Sequence, residues 1–322
     1  MYNLSGLCSN RADSNVLFPR FVQFNMTDAS AERVQINRER LLQRFLSYVQ
    51  VGTSADPGSD RYPSSSGQWD LGKLLLEELH ALTVEDACQD EHALVWGTVP
   101  ASNGEQGPTV ALVAHLDTSP EAPGENVQPQ VIQSYKGGDI TLPSGNVIDV
   151  ASCPALNSML GMTLVTTDGT TLLGGDDKAG VAIIMELVAT LVENPHLVHG
   201  PVKVLFTCDE EIGRGTDKID LGKLNATVAY TLDGGGAAVI DEETFSADAA
   251  IVRFEGHNIH PSIAKDRMVN AVRAAADFVA QLPRETCSPE TTHEREGFIH
   301  PYTVEGGVGS ATVELILRSF ET

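Results

Sequence analysis

The sequence predicts an α/β protein whose main domain holds a mostly parallel sheet with helices on both faces, followed by a smaller α+β domain. The first observation is the length, because 322 residues, 42% hydrophobic and 20% charged, suit about two domains with their own cores. The second is that strand-like and helix-like segments alternate between residues 34 and 239, which favours parallel strands joined by helices. The third is a β-α-β-β pattern that begins after residue 240.

The domain boundaries follow from these patterns. Residues 1–33 show little periodicity, and we predict a poorly ordered N-terminal extension there. Residues 34–239 are predicted to form the main domain, and residues 240–322 the smaller one. A sheet of three strands with one helix leaves one sheet face largely uncovered, so the smaller α+β domain is expected to be incomplete.

Three segments of the main domain have the periodicity of helices. The segment "NRERLLQRFLSYVQV" (37–51) places apolar side chains at helical spacing and begins with Asn37, a suitable N-cap. The segment "QWDLGKLLLEELHAL" (68–82) has the same periodicity. A third helix is predicted from about Lys178 to Glu193.

Short apolar segments between turn-forming residues predict the strands. Four lie in the main domain: "ALVWGTVP" (93–100), "TVALVAHLD" (109–117), "PVKVLFTCDEE" (201–211) and "ATVAYTLDGGG" (226–236). The segment "TLVTTDGTTLLGGDD" (163–177) predicts a hairpin with an Asp-Gly turn. The smaller domain is predicted from the strand "SADAAIVRFEG" (246–256), the helix "RMVNAVRAAADFVAQLP" (267–283), and the strands "YTVEGG" (302–307) and "ATVELILRSF" (311–320).

Four segments of the main domain, at 109–117, 163–177, 201–211 and 226–236, share one feature, which is that acidic or histidine side chains stand where they end. His115 and Asp117 are two residues apart, so in a strand they point to the same face. The C-terminal ends of parallel strands meet at one edge of the sheet, where ligands bind in such folds. The sequence therefore predicts one site at this edge. Its candidate residues are His115, Asp117, Asp176, Asp177, Asp209, Glu210, Glu211 and Asp233.

Composition excludes several classes of function. A formal net charge of −23 argues against nucleic-acid binding, which depends on neutralising phosphates. The longest apolar stretch, residues 179–192, carries Glu186 and is too short to span a bilayer, so no membrane contact is expected. No signal-peptide pattern is evident at the N-terminus, and we expect a cytoplasmic protein.

The candidate residues have the chemistry of a catalytic metal site. One imidazole with several carboxylates suits zinc, manganese or cobalt in a water-activating site, and the five scattered cysteines do not resemble a structural zinc cage. Converging carboxylates would repel each other without a cation. Two divalent ions about 3.5–4 Å apart, bridged by a carboxylate, would remove that repulsion.

Six segments, in chain order, give the sequence a resemblance to a known family. They are "HLDTSP" (115–120), "YKGGDITLP" (135–143), "LLGGDDKAGVA" (172–182), "DEEIGRG" (209–215), "YTLDGGG" (230–236) and "NIHPSIAKDRMVNA" (258–271). Together they resemble the peptidase T family, the tripeptide aminopeptidases of the di-zinc metallopeptidases. The resemblance extends over roughly residues 37–322.

The resemblance implies a role for each candidate residue. Asp176 would bridge two zinc ions, one of them bound by His115 and Asp233 and the other by Glu211. Asp117 would hold the His115 imidazole from behind. Glu210 would be the general base on zinc-activated water, which attacks the peptide bond after the N-terminal residue.

The resemblance also implies a substrate, a partner and an incomplete chain. His260 would steady a short peptide substrate, and Arg318 would bind its C-terminal carboxylate. Residues 34–239 would be the catalytic domain, and residues 240–322 the lid through which family members form homodimers. Family members continue beyond this point and supply a further histidine to the second zinc. We therefore expect a C-terminally truncated chain with one metal ligand missing and impaired activity.

Other interpretations of the same residues remain open. The chain could be an inactive fragment or a non-catalytic protein that binds peptides or partner subunits. A magnesium phosphoesterase is less favoured, because no phosphate-binding glycine loop is evident and imidazole is an unusual magnesium ligand. Single residues also have structural interpretations: Asp177 as a helix cap, Lys178 as a solvated residue, His260 as a cap and Arg318 as a strand-surface charge.

Overall fold

The computed structural model describes residues 34–104, 107–234, 239–240, 243 and 245–320. The chain divides into two compact units, and the boundary between them lies close to residue 235. The predicted N-terminal extension, residues 1–33, lies outside the described residues.

The three predicted helices of the larger unit are present, and a fourth, short helix was not predicted. They are α1 (Arg38–Val49), α2 (Gly67–Ala81), α3 (Gly175–Glu193) and the short α4 (Leu221–Leu224). The side chain of Asn37 accepts a hydrogen bond from the Arg40 N–H, which confirms the predicted N-cap of α1. Helix α3 packs on the central sheet, and α1 packs on α3.

The strands of the larger unit are short. In chain order they are β1 (Cys88–Gln89), β2 (Val95–Val99), β3 (Val110–His115), β4 (Gln130–Ile132), β5 (Ile140–Thr141), β6 (Val147–Ile148), β7 (Leu164–Thr166), β8 (Val202–Thr207) and β9 (Val228–Thr231). Within the described residues, five of them form the central sheet in the order β1-β2-β8-β3-β9.

The central sheet confirms the α/β class and is mixed in strand direction. Strand β3 runs parallel to β8 on one side and to β9 on the other. Strand β2 is antiparallel to β8, and β1 is antiparallel to β2. Only a few residues join β1 to β2, too few for the crossover that a parallel pair requires. The parallel arrangement is therefore limited to β8, β3 and β9, and their C-terminal ends share one edge.

The hairpin predicted over residues 163–177 is wrong. Strand β7 pairs instead with β4, so its partner comes from an earlier part of the chain. The Asp168-Gly169 turn does form, and the Asp168 carboxylate accepts hydrogen bonds from Thr170. The residues after this turn lead directly into α3. Asp176 and Asp177 consequently lie at the start of a helix and not at the end of a strand.

A buried ion-pair network links the helices of the larger unit. The Glu186 carboxylate on α3 accepts hydrogen bonds from Arg40 Nε at 2.8 Å and from Arg44 Nη1 at 2.6 Å. Arg44 Nε also donates to Glu78 on α2 at 2.9 Å. Burying such charges is tolerable only because each one is paired. The network therefore fixes α1 against α2 and α3.

The smaller unit has the predicted β-α-β-β order. It contains β10 (Ser246–Glu255), α5 (Ala271–Gln281), β11 (Phe298–Gly306) and β12 (Ser310–Ser319). In its described part, the sheet is antiparallel in the order β10-β12-β11. Helix α5 packs on this sheet and buries Ala271 and Ala275 with Ile299, Val313 and Leu315. Across the described residues of both units, no helix has the length and apolarity that crossing a membrane requires.

Candidate metal centre

The end of strand β3 places His115 at the centre of the predicted site. Its side chain is 2% exposed, and its backbone N–H donates to the Asp177 carboxylate at 3.1 Å. Its ring nitrogen Nδ1 lies 3.0 Å from the backbone oxygen of Asp117. A histidine ring held through Nδ1 presents Nε2 to a ligand in a fixed orientation. The strand thus orients the His115 ring so that Nε2 can bind a ligand.

Three carboxylates from three segments of chain surround His115 Nε2. Asp176 Oδ1, from the start of α3, lies at 2.9 Å. Asp233 Oδ2, two residues after β9, lies at 3.6 Å, and Glu210 Oε2, after β8, lies at 4.0 Å. The structure therefore brings these residues together around His115, and their roles stay a prediction.

Asp117 joins the two sides of this cluster. Its side chain is fully buried, and its carboxylate oxygens accept the backbone N–H groups of Glu210 and Glu211 at 3.0 Å each. One of the same oxygens lies 3.4 Å from His115 Nδ1. Asp117 therefore orients the histidine and also fixes the turn that carries both glutamates.

Crowding of negative charge shifts the titration of the cluster. Burial raises the pKa of Asp177 to about 8, and burial together with the charge of Asp176 raises the pKa of Asp233 to about 6. The pKa of Glu211 is also raised, by burial and by Asp176. Burial lowers the pKa of His115, but the hydrogen bond and charge of Asp117 outweigh burial and raise that pKa to about 10. A cation bound among these carboxylates would favour their ionised forms and so oppose the rise in their pKa values.

The donor set fits divalent cations. Among the described residues, two groups have ligand atoms within 4.8 Å of one another: His115 with Asp177 and Asp233, and His115 with Asp176 and Glu211. Imidazole nitrogen with carboxylate oxygens, and without thiolate, is the chemistry of catalytic zinc, manganese or cobalt sites. Both carboxylate oxygens of Asp177 already accept N–H groups, from His115 and Gly180, whereas the Asp176 side chain is 68% exposed. Asp176 is therefore the better placed of the two to reach a cation.

Lys178 differs from the sequence expectation of a solvated residue. It is 1% exposed, and its ammonium group donates to the backbone oxygen of Val51 at 2.7 Å. Burial lowers its pKa to about 8. The first turn of α3 is covered by the loop after α1, which a one-dimensional pattern does not reveal.

The two remaining predicted residues lie in the smaller unit. The exposed His260 caps the short 3-10 turn Pro261–Ile263, and its Nδ1 lies 2.7 Å from Ser262 Oγ. Arg318 lies on β12, and its guanidinium carbon lies 5.0 Å from the centre of the Phe245 ring. Their contact with a substrate stays a prediction.

Two solved structures with a similar fold carry the names of peptidases. The aminopeptidase PepT of Bacillus cereus matches 88% of this chain and 67% of its own, with a TM-score of 0.59 and 24% identity. A tripeptidase of Staphylococcus aureus matches the same shares, with a TM-score of 0.62 and 22% identity. Residues 243–322 match the peptidase dimerisation domain of the M20 class. The fold is thus that of the M20 class of peptidases.

Sequence relatives give the family within this class. Peptidase T of Geobacillus sp. (strain WCH70) is 44% identical over 286 residues, which are 88% of this chain and 70% of the relative. Peptidase T of Bacillus subtilis (strain 168) is 41% identical over 286 residues, with the same shares. The chain belongs to the peptidase T family.

Proposed function

We propose that this protein is a di-zinc aminopeptidase that removes the N-terminal residue from short peptides, tripeptides above all. The observation that carries the proposal is the position of His115 Nε2 within 4.0 Å of Asp176, Asp233 and Glu210, which come from three separate segments. The name tripeptidase, given to a protein of similar fold, supports the choice of substrate length.

Each ligand is assigned from its place in the cluster. His115 and Asp233 would hold one zinc, and Glu211 would hold the other. Asp176 would bridge both, because its exposed carboxylate belongs to the same ligand group as His115 and Glu211. When bound, zinc polarises a peptide carbonyl and lowers the pKa of water toward neutrality.

Glu210 is the group best placed to move the proton. Its side chain is 51% exposed, and its backbone is fixed by the hydrogen bond to Asp117. It would accept a proton from the attacking water and then donate that proton to the departing amine. Asp117 would hold Glu210 and His115 in fixed positions through both steps.

The smaller unit would complete the enzyme. We assign residues 34–239 to a catalytic domain and residues 240–322 to a lid that also forms a homodimer, in line with the dimerisation-domain match. His260 would contact the substrate, and the guanidinium of Arg318 would pair with its C-terminal carboxylate. The cytoplasmic location stays a prediction.

The test uses the full chain, stripped of metal with a chelator and then supplied with Zn²⁺ or Co²⁺. Hydrolysis of a leucine tripeptide should appear only after metal is added, and an N-acetylated form of the same peptide should resist. Glu210→Gln should lower turnover by at least about a hundredfold, while Glu121→Gln, at an exposed position, should retain it. Equal cleavage of the acetylated peptide by the metal-loaded chain would contradict the proposal. So would a chain that binds no metal.

A further inference from the structure

The turn that carries Glu210 and Glu211 is held on a second side, away from Asp117. Asp209 precedes the two glutamates, is fully buried, and has a left-handed backbone with φ of 59°. Aspartate tolerates this conformation better than most residues, but a non-glycine residue there still needs support. The support comes from residues 62–68, which lead into the first turn of α2.

A reciprocal pair of hydrogen bonds joins Asp209 to Gln68. Gln68 Nε2 donates to Asp209 Oδ1 at 2.7 Å, and the Asp209 N–H donates back to Gln68 Oε1 at 3.0 Å. Ser64 adds two donors to the same carboxylate, its N–H at 2.8 Å and its hydroxyl at 2.5 Å. Gln68 and Asp209 are both fully buried, so water does not compete for these groups.

The backbone before Asp209 is held as well. The hydroxyl of Tyr62 donates to the backbone oxygen of Cys208 at 3.2 Å. The chain from Cys208 to Glu211 is therefore fixed by residues 62–68 on one side and by Asp117 on the other. The orientation of the Glu210 and Glu211 side chains depends on both supports, because a turn that is held on one side only can rotate about that side.

We propose that Gln68 and Asp209 act as a positioning pair, with Ser64 in support, that fixes Glu210 and Glu211 for metal binding and proton transfer. The inference rests on the proposed function, since it explains how that site is held. Neither residue reaches the cluster itself. Residues that orient metal ligands in this way typically change metal affinity about 10–100-fold when they are replaced.

Complementary substitutions test the pair. Asp209→Asn sets an amide NH₂ against either the Gln68 NH₂ or the Ser64 N–H, depending on how the amide turns, and Gln68→Glu sets one carboxylate against another. In the double variant the backbone N–H and the new amide NH₂ at position 209 can both donate to the new carboxylate at position 68, which restores the pattern of donors and acceptors. Asp70→Asn, at an exposed position on the same helix, is the matched control.

Three measurements separate positioning from a general effect on folding. They are Co²⁺ affinity by absorbance titration, kcat and KM on the leucine tripeptide, and the melting temperature of the metal-free chain. Each single variant should bind Co²⁺ at least about tenfold more weakly and lose kcat with little change in KM. The double variant should recover most of both losses, and Asp70→Asn should match the unmodified chain.

Several outcomes would overturn the pair. One is folded single variants with unchanged Co²⁺ affinity, and another is a double variant no better than the singles. If the single variants do not fold, Ser64→Ala replaces them, and an unchanged affinity there counts equally against the proposal. Failure of the proposed function gives a different result, because the unmodified chain would then bind no Co²⁺ at all.

Discussion

Replacing Asp117 with asparagine tests whether one carboxylate holds both sides of the cluster. Each of its oxygens accepts one backbone N–H, from Glu210 and from Glu211. Asparagine has nearly the same shape but only one oxygen, so one of the two N–H groups must face an NH₂ group. The perturbation is therefore the loss of one acceptor in a fully buried place.

Two opposing effects set the size of the change. Losing a hydrogen bond to a charged acceptor costs about 1.5–3 kcal/mol. Removing one negative charge, however, relieves the repulsion that contributes to the raised pKa of Glu211. This relief offsets only part of the cost, because the ion pair with His115 is lost as well, so the unfolding free energy of the metal-free chain should fall by about 1.5–3 kcal/mol. Metal affinity has no such compensation and should fall about 10–100-fold.

The assay compares urea unfolding and Zn²⁺ affinity in Asp117→Asn and in a control, Asp168→Asn. Asp168 is partly exposed, and the hydrogen bonds that it accepts from Thr170 both end on Oδ1, so an amide oxygen can replace it. The control should match the unmodified chain. The pKa of His115 should also fall in Asp117→Asn, since Asp117 is the main group that raises it. Unchanged Zn²⁺ affinity, or a collapse of stability with affinity retained in the folded fraction, would refute the reasoning.

Three further predictions follow from the site and its supports. Glu210→Gln should lower tripeptide turnover by about 10²–10⁴-fold while the chain still binds zinc, as measured by kinetics and metal analysis. Glu186→Ala should cost about 3–5 kcal/mol in urea unfolding, because it leaves the buried Arg44 short of a partner, whereas Glu193→Ala, at a half-exposed position, should cost less than about 1 kcal/mol. The metal-free chain should melt at lower temperature as pH rises from about 6.5 to about 8 in calorimetry. The stabilisation from the raised pKa of His115, about 10, is complete below pH 6.5 and is lost as pH rises, and the raised pKa of Asp177, about 8, acts in the same direction. The lowered pKa of Lys178, about 8, acts in the opposite direction only at higher pH, so a melting temperature that rises between pH 6.5 and 8 would disprove the assignment.

The sequence predicted the site because its residues stand in a local context that fixes them. His115 and Asp117 follow an apolar strand, and Glu210 and Asp233 follow two others. A strand end adjacent in sequence to an acidic residue is a local pattern, and parallel strands carry such ends to one edge. The family resemblance then predicts separate roles for Glu210 and Glu211, which the pattern alone cannot distinguish.

Three features could not be predicted, because each depends on contacts between distant residues. The hairpin over residues 163–177 was wrong since β7 pairs with β4, more than 30 residues earlier. Lys178 is buried by the loop after α1, although its neighbours resemble an exposed first turn. Gln68 lies 141 residues from Asp209, and a glutamine on a helix gives no signal of its own.

Strand β9 has a particular place in the sheet, since in the described part of the chain it pairs with β3 on one side only. Asp233 continues from this edge strand, while His115 ends its neighbour. A cation shared by these two side chains would act as a cross-link between adjacent strands, at an edge of the sheet where backbone hydrogen bonds cease. Metal uptake would then slow hydrogen exchange along β9, so the same ion would serve catalysis and stabilise this edge of the sheet.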